Sequence, residues 1–276
     1  SKASTTTAVT PDLGALLDLA VRVAHEAGRL VRDRRDAVDR MTVSATKSTP
    51  TDVVTESDTA AEALIRRRLL AARPDDGMLG EEGASVAGGS GVVWVVDPID
   101  GTVNYLYDIP QYAVSIAAQV DGRTVAGVVH NPTSGQTWAA ARGGGARLDG
   151  QPVHESGCDR LDRALVATGF GYDSARRARQ AEVLRSVLPQ VRDIRRLGAA
   201  SLDLCGVATG WFDAFYERGL APWDLAAGAL VAEEAGVVVE GFGGAAPSSE
   251  LVIAAGPALF PALRDLLASL GADRDR

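Results

Sequence analysis

Two carboxylates three residues apart, Asp97 and Asp100, punctuate the segment Trp94-Val95-Val96-Asp97-Pro98-Ile99-Asp100-Gly101-Thr102. Paired carboxylates at the end of a buried strand can chelate hard divalent cations, because Mg²⁺ prefers oxygen ligands. Gly101 and Thr102 then begin what reads as a short helix, whose free N–H groups would make an anion site. A metal pair beside an anion site suits phosphate-ester hydrolysis. The same residues also fit a purely structural role, since Asp-Pro and Asp-Gly are common turn pairs and Asp is a frequent helix cap.

Further carboxylates stand in similar places. Gly80-Glu81-Glu82-Gly83 follows a short apolar run, Thr55-Glu56-Ser57-Asp58 precedes a helix, and Trp223-Asp224 opens another after Pro222. Capping is the plain reading of both Asp58 and Asp224. Together these residues put acidic side chains at the ends of buried elements, where α/β folds bind ligands.

The elements that must position them follow from periodicity. Between Asp12 and Arg35 apolar residues (Leu13, Leu16, Leu17, Ala20, Val23, Ala24, Ala27, Leu30, Val31) recur at helical spacing and predict a long amphipathic helix. A loop runs from Asp36 to about Pro50. A second helix is expected over Ser57–Ala72, with Pro74 beyond its end. Met78–Glu81 reads as a short strand. Val92–Val96 is wholly apolar and reads as a buried strand that stops at Asp97-Pro98. Strands over Tyr112–Val120, Arg123–Val129 and Gln136–Ala141 follow, with Asp121-Gly122 and Asp149-Gly150 as hairpin turns. The first 155 residues thus read as two helices and an antiparallel meander. The remainder alternates, with strands near 164–168, 194, 212–216, 237–240 and 251–255. Helices are expected over 176–188, 200–209, 223–235 and 258–270, which is α/β layering. The expected organisation is a disordered lead-in over 1–10, an N-terminal α+β half over 11–155 holding the metal site, and a C-terminal α/β half over 156–276.

Composition narrows the function classes. With 276 residues, 46% hydrophobic and 23% charged, the chain is not mainly disordered, coiled-coil or collagen-like. Its 36 acidic and 28 basic side chains leave a net charge of −8, which repels phosphate backbones, so no nucleic-acid partner is expected. The longest charge-free stretch, Thr124–Ala141, is interrupted by Asn131 and Pro132, so no membrane span is expected. SKASTTTAVT lacks the apolar core of a signal peptide. Two cysteines, Cys158 and Cys205, make no disulfide framework and point to a reducing cytoplasm.

The chain resembles the inositol monophosphatase family of Mg²⁺-dependent, Li⁺-sensitive phosphatases, from about Asp12 to Leu270. The resemblance is carried by the run from Lys47 to Asp58, then Gly80-Glu81-Glu82, then Trp94 to Tyr105, Trp223-Asp224-Leu225-Ala226-Ala227-Gly228, and Glu234-Ala235-Gly236. Their joint occurrence in this order displaces the capping reading. The resemblance implies an αβαβα layered sandwich with the site between the halves, usually assembled as a homodimer. It implies that Glu81, Asp97, the Ile99 carbonyl, Asp100 and Asp224 hold two or three Mg²⁺ ions. Asp58 and Thr102 correspond to the pair that orients the attacking water, and Glu81 joins them as a catalytic residue. Gly101 and Thr102 correspond to backbone donors to phosphate. Asp100, Asp224, Gly198-Ala199-Ala200 and Glu217 line the substrate pocket, Glu217 accepting from inositol hydroxyls. Lys47 corresponds to a lysine near the metals. Li⁺ would inhibit.

The substrate would be a small-molecule phosphate ester, inositol monophosphate first. The same metal chemistry would serve histidinol phosphate, fructose 1,6-bisphosphate or an adenosine bisphosphate. A bisphosphate enzyme needs extra basic side chains near the pocket, for which Arg195, Arg196 and Arg218 are candidates. A regulatory or scaffolding role with little turnover is the alternative from another class. Other features read as structural. His25, His130 and His154 lack zinc spacing and read as surface or supporting groups. The Arg66-Arg67-Arg68 run reads as a solvated helix face, and Gly143-Gly144-Gly145 as a turn, because no Lys-Ser/Thr follows it. Glu233 and Glu234 read as helix-surface residues. Phe170, Tyr172, Trp211, Phe215 and Tyr216 read as core.

Overall fold

The computed structural model describes residues 11–35, 45, 46, 53–83 and 85–275. Residues 1–10 and Lys47 lie outside them. Helix α1 (Leu13–Asp33) starts where Asp12 accepts the Gly14 and Ala15 N–H groups at 2.9 and 3.2 Å. A short ladder pairs β1 (Ala45–Thr46) with β2 (Val53–Val54), and α2 (Glu56–Ala72) follows. A seven-stranded sheet comes next: β3 (Gly77–Gly80), β4 (Val92–Asp100), β5 (Ala113–Val120), β6 (Arg123–His130), β7 (Thr137–Ala141), β8 (Ala146–Leu148) and β9 (Gln151–Pro152), in that spatial order. The short helix α3 (Thr102–Leu106) interrupts it after β4.

The second sheet has five strands: β10 (Leu165–Thr168), β11 (Asp193–Arg195), β12 (Ala214–Glu217), β13 (Val238–Glu240) and β14 (Val252–Ala255). Their spatial order is β11-β10-β12-β14-β13. The helices between and after them are α4 (Ser174–Val187), α5 (Ala200–Ala208), α6 (Pro222–Glu234) and α7 (Phe260–Ser269).

Burial explains the layering. Along β4, Trp94 and Val96 face one core with α1 and α2, while Val95 faces another with α5 and α6. A sheet covered on both faces needs apolar residues at successive positions, as Trp94, Val95 and Val96 show, while Val93 near the start of the strand is exposed. Helices α5 and α6 lie between the two sheets, so all of Ala200–Ala208 and all of 225–232 are buried, with no polar stripe. On the far face of the second sheet, Val183, Val187, Leu263 and Leu267 from α4 and α7 build a third core. The result is the expected αβαβα sandwich.

Three expectations are corrected. The first half is not wholly antiparallel, because β3 runs parallel to β4 and reaches it by the long connection 81–91 rather than a tight turn. Strand β4 continues through Asp97-Pro98 to Asp100, with a register jump against β5 in place of a stop. The elements β8 and β9 extend the meander beyond the three strands foreseen.

Several side chains also depart from expectation. His130 is buried and sits edge-on to His25, ring centroids 4.6 Å apart, both contacting the Thr137 hydroxyl. Burial pushes the His130 pKa down to about 4, so it is a neutral packing group. Glu233 binds Arg142 at 2.7 Å, and Glu234 accepts the Gly143 and Gly145 N–H groups at 2.9 and 3.0 Å. The triple-glycine turn therefore cradles a carboxylate of this chain. Phe215 and Tyr216 are core as expected, but Trp211 and Tyr172 are exposed. Cys205 is buried and Cys158 half-buried.

Candidate active site

The floor of the site is made by the distortion of β4. Residues i and i+3 on a regular strand point to opposite faces. Here Asp97 stands opposite Ser115 while Asp100 stands opposite Ala113, so three steps on β4 match two on β5. This extra residue, at a proline that has no N–H to donate, is a bulge that brings both carboxylates to one side. Asp97 Oδ1 accepts the Ile99 N–H at 3.0 Å and braces the bulge.

Three elements converge there. Asp224, third residue of α6, joins Asp97 and Asp100, and each offers an oxygen within 4.8 Å of the others. Glu81, just after β3, is tied by its N–H to the Val96 carbonyl at 3.2 Å, one residue from Asp97. Asp97 hydrogen-bonds both Glu81 and Asp224. Asp100 accepts the Ser201 N–H at 2.7 Å and its hydroxyl at 2.5 Å, which ties β4 to the first turn of α5.

Burial raises all three acids. It and the neighbouring carboxylates hold Asp97 well above the ordinary range. Asp100 is pushed up to about 6 and Asp224 to about 8, burial again leading. No described residue forms a salt bridge with Asp97, Asp100 or Asp224. Crowded oxygen donors without a basic partner are a donor set for hard divalent cations. The Ile99 carbonyl also borders the cleft.

Beside this cluster, the Thr102 hydroxyl has two acceptors, Asp58 Oδ1 at 3.0 Å and the Ile99 carbonyl at 3.1 Å. Asp58 does two jobs with two oxygens. Its Oδ2 closes a capping box with the Thr55 N–H at 2.8 Å, and its Oδ1 faces Thr102. Burial pushes Asp58 up to about 6 against the opposing pull of these hydrogen bonds. The capping and catalytic readings of this residue are thus compatible. Asp224 likewise accepts the Ala221 N–H at 2.6 Å while facing the acids. Helix α3 spans only five residues, so Gly101 and Thr102 offer individual N–H donors and little macrodipole.

The cleft encloses about 320 Å³. Gly198-Ala199-Ala200 forms one wall. It approaches so closely that a Cβ on Gly101, itself at φ 92°, would lie 3.0 Å from the Gln111 carbonyl and 3.2 Å from that of Gly198. Glu217, at the end of β12, closes the far side and is only 8% exposed. Burial pushes it up to about 8, with Arg196 opposing. Arg196 in turn lies 5.6 Å over the Phe170 ring. A larger cavity of about 820 Å³ lies beyond Gly219–Ala221. Its one carboxylate, Glu233, is already paired with Arg142.

The described residues named from the sequence, namely Asp58, Glu81, Asp97, Ile99, Asp100, Gly101, Thr102, Ala199, Ala200, Gly198, Glu217 and Asp224, all border this cleft or bond to a residue that does. Sequence reasoning missed Ser201, Glu62, Arg176 and Asp203. Ser201 follows the Gly198-Ala199-Ala200 motif directly, and Glu62 lies one helical turn after Asp58. Those spacings were the available signals. Asp203 is buried, and burial together with Glu217 and Asp100 raises its carboxyl well above the ordinary range. Arg176 forms part of the mouth and hydrogen-bonds Asp275 at 2.9 and 3.3 Å.

Known proteins match this arrangement over nearly the whole chain. The model of the inositol monophosphatase family matches residues 12–272. An inositol-1-monophosphatase of Mycobacterium leprae is 47% identical over 263 residues, covering 89% of this chain and 90% of that protein. A solved structure of Mycobacterium tuberculosis SuhB superposes with a TM-score of 0.83 at 44% identity, covering 96% of this chain and all of that one. A Pseudomonas aeruginosa protein named Nus factor SuhB is 41% identical, covering 83% of this chain and 86% of its own length. With the five-layer fold and the acidic cleft between its sheets, these likenesses identify the chain as a phosphoric monoester hydrolase that belongs to the inositol monophosphatase family.

Proposed function

We propose that the chain hydrolyses inositol monophosphate to inositol and phosphate with two or three Mg²⁺ ions, and that Li⁺ inhibits it. The observation that carries this reading is the convergence of Asp97, Asp100 and Asp224 oxygens within 4.8 Å, beside the Asp58–Thr102 pair. The donor set fits the metal, because mutual repulsion and burial leave these acids in want of positive charge. Glu81, Asp97, the Ile99 carbonyl, Asp100 and Asp224 would hold the ions. Bound there, Mg²⁺ lowers the pKa of a ligated water and offsets charge on the phosphoryl and leaving oxygens.

The chain's own groups do the rest. Thr102 Oγ1 accepts a proton from the attacking water as its own proton passes to Asp58 Oδ1. A carboxylate lifted to about 6 is a stronger base than an ordinary Asp and is still ionised at pH 7. Gly101 and Thr102 N–H groups hold phosphoryl oxygens. Glu217 and the wall Gly198-Ala199-Ala200 orient the polyol. No nucleophilic side chain is invoked, so water attacks phosphorus directly and the ester P–O bond breaks.

The arginines favour a monophosphate over a bisphosphate. Arg218 is bound by Asp275 at 3.0 Å and the Glu250 carbonyl at 2.8 Å. Arg195 is bound by Asp193 at 2.8 Å, and Arg176 by Asp275. Of the candidates for a second phosphate, only Arg196 forms no salt bridge among the described residues; it faces Glu217 and stacks on Phe170.

The reading extends to a homodimer in the cytoplasm, with the metal site in the half over 11–155 and Asp224 and the substrate pocket from the half over 156–276. No membrane or nucleic-acid partner is included, and no described helix is long and apolar enough to cross a membrane.

Phosphate release from inositol 1-phosphate should require Mg²⁺, vanish in EDTA and fall with Li⁺. Glu217→Gln should lower kcat/KM for that substrate about fivefold, the scale of one hydrogen bond, and leave glycerol 2-phosphate within twofold. Equal loss on both would overturn the assignment of Glu217. The relative named as a Nus factor supports a second reading, a protein partner in addition to turnover. A stoichiometric partner captured by both the native chain and Asp97→Asn would establish it.

A further inference from the structure

We infer that Glu62, which belongs to no metal or substrate motif, is the positioning residue for Glu81. This rests on the metal-ligand reading of Glu81 above. Glu62 and Asp58 lie four residues apart on α2, so they share one helix face, and both are buried, at 3% and 0% exposure. Asp58 grips Thr102 on one side of the cleft. Glu62 grips the segment that carries Glu81. Its Oε2 accepts the Glu82 N–H at 2.8 Å. Its carboxylate also lies against the Cα of Gly80, so that a Cβ there would fall 2.4 Å from Oε2 and 2.6 Å from Cδ.

The two contacts flank Glu81 in the chain. Glu81 has its own N–H tied to Val96 and its carboxylate hydrogen-bonded to Asp97, and the contacts of Glu62 fix the chain on either side of it. With residue 80 packed on Glu62 and residue 82 bonded to it, the peptide units on both sides of Glu81 are held. The carboxylate of Glu81 is thereby presented next to Asp97. One helix thus aims both the water-orienting pair and the ligand from β3. A glycine at 80 is required by this arrangement for space, not for backbone angle, since its φ is not positive.

The test is Mg²⁺ affinity by titration calorimetry on the full chain, with the melting temperature in EDTA as a check on folding. Glu62→Ala leaves the half-buried Glu82 N–H without its acceptor. Gly80→Ala displaces the Glu62 carboxylate without altering it. Both should weaken Mg²⁺ binding about tenfold, the lower end for a group that orients a metal ligand. Glu62→Gln keeps an acceptor and should stay within threefold. At saturating Mg²⁺, KM for inositol 1-phosphate should stay within twofold in each.

Unchanged Mg²⁺ affinity in both Glu62→Ala and Gly80→Ala overturns the inference. So does a Glu62→Gln effect as large as that of Glu62→Ala, because charge rather than the hydrogen bond would then be responsible. If Glu62→Ala does not fold, Gly80→Ala and Glu62→Gln still decide. Absence of Mg²⁺ binding in the native chain would fell the metal reading itself, and the role of Glu62 with it.

Discussion

Asp76 and Asp97 are equally buried, each 1% exposed, yet their surroundings are opposite. Asp76, just before β3, is surrounded by donors: Arg73 Nε at 2.5 Å, the Ser90 hydroxyl at 2.6 Å and the Trp94 indole N–H at 2.9 Å. Asp97, on the neighbouring strand, has carboxylates as neighbours: Glu81, Asp100 and Asp224. The first arrangement satisfies a buried charge from within the chain, as structural acids require. The second leaves it for something that binds. Burial and acidity alone therefore do not mark a site. The partners do.

The comparison can be broken from either side. The largest effect is expected for Asp97→Asn, which should cut phosphate release on the order of 10³-fold, the scale of losing one preorganised electrostatic group. Retained turnover would place the chemistry elsewhere. Asp76→Asn should do the reverse. It removes the charge facing Arg73 and should cost about 2–3 kcal/mol of unfolding free energy in urea, with kcat per folded molecule unchanged. A selective loss of kcat would end the contrast.

Proton linkage sharpens it further. Burial raises Asp100 to about 6 and Asp224 and Glu217 to about 8, and Asp97 also lies well above the ordinary range. Between about pH 4 and 8 the folded chain then binds more protons than the unfolded chain, so metal-free stability falls as pH rises through that window. Melting in EDTA should show this fall between pH 5 and 8. Mg²⁺ should offset it by binding the folded state, and Asp97→Asn should flatten it. A flat native profile in EDTA would contradict the reading of the floor.

The smallest effect concerns the mouth. The Asp275 side chain is 46% exposed, and such pairs are worth about 0.2–1 kcal/mol. Asp275→Asn should release Arg176 and Arg218 and improve inhibition by fructose 1,6-bisphosphate by a factor of about two to five, leaving inositol 1-phosphate turnover unchanged. No change would mean that these arginines do not exclude a second phosphate.

Much of the architecture was legible. The apolar spacing over 12–35 placed α1 within two residues of each observed end, and Asp-Gly pairs marked two hairpin turns, where Asp121 and Asp149 have φ of 50° and 49°. The start of α4 was missed by two residues, because the cap is Asp173 and α4 has few apolar residues to show its period. The middle-layer helices were legible by composition rather than period, since a helix buried on all sides has no period to read. The bulge at Pro98 was misread as a strand end, because a local signal reports the missing N–H and not the pairing beyond it.

Residue identity and order alone determined the candidate ligand types, the family resemblance and the helices and strands that carry them, since these depend on neighbours a few positions away. Tertiary structure decided which oxygen faces what. Ser201 meets Asp100 across 101 residues, Thr102 meets Asp58 across 44, and Glu82 meets Glu62 across 20. It also separated Asp76 from Asp97, two buried acids that look alike in sequence. A side chain's environment is set by the elements folded against it, and periodicity along one segment carries no record of which segment that will be.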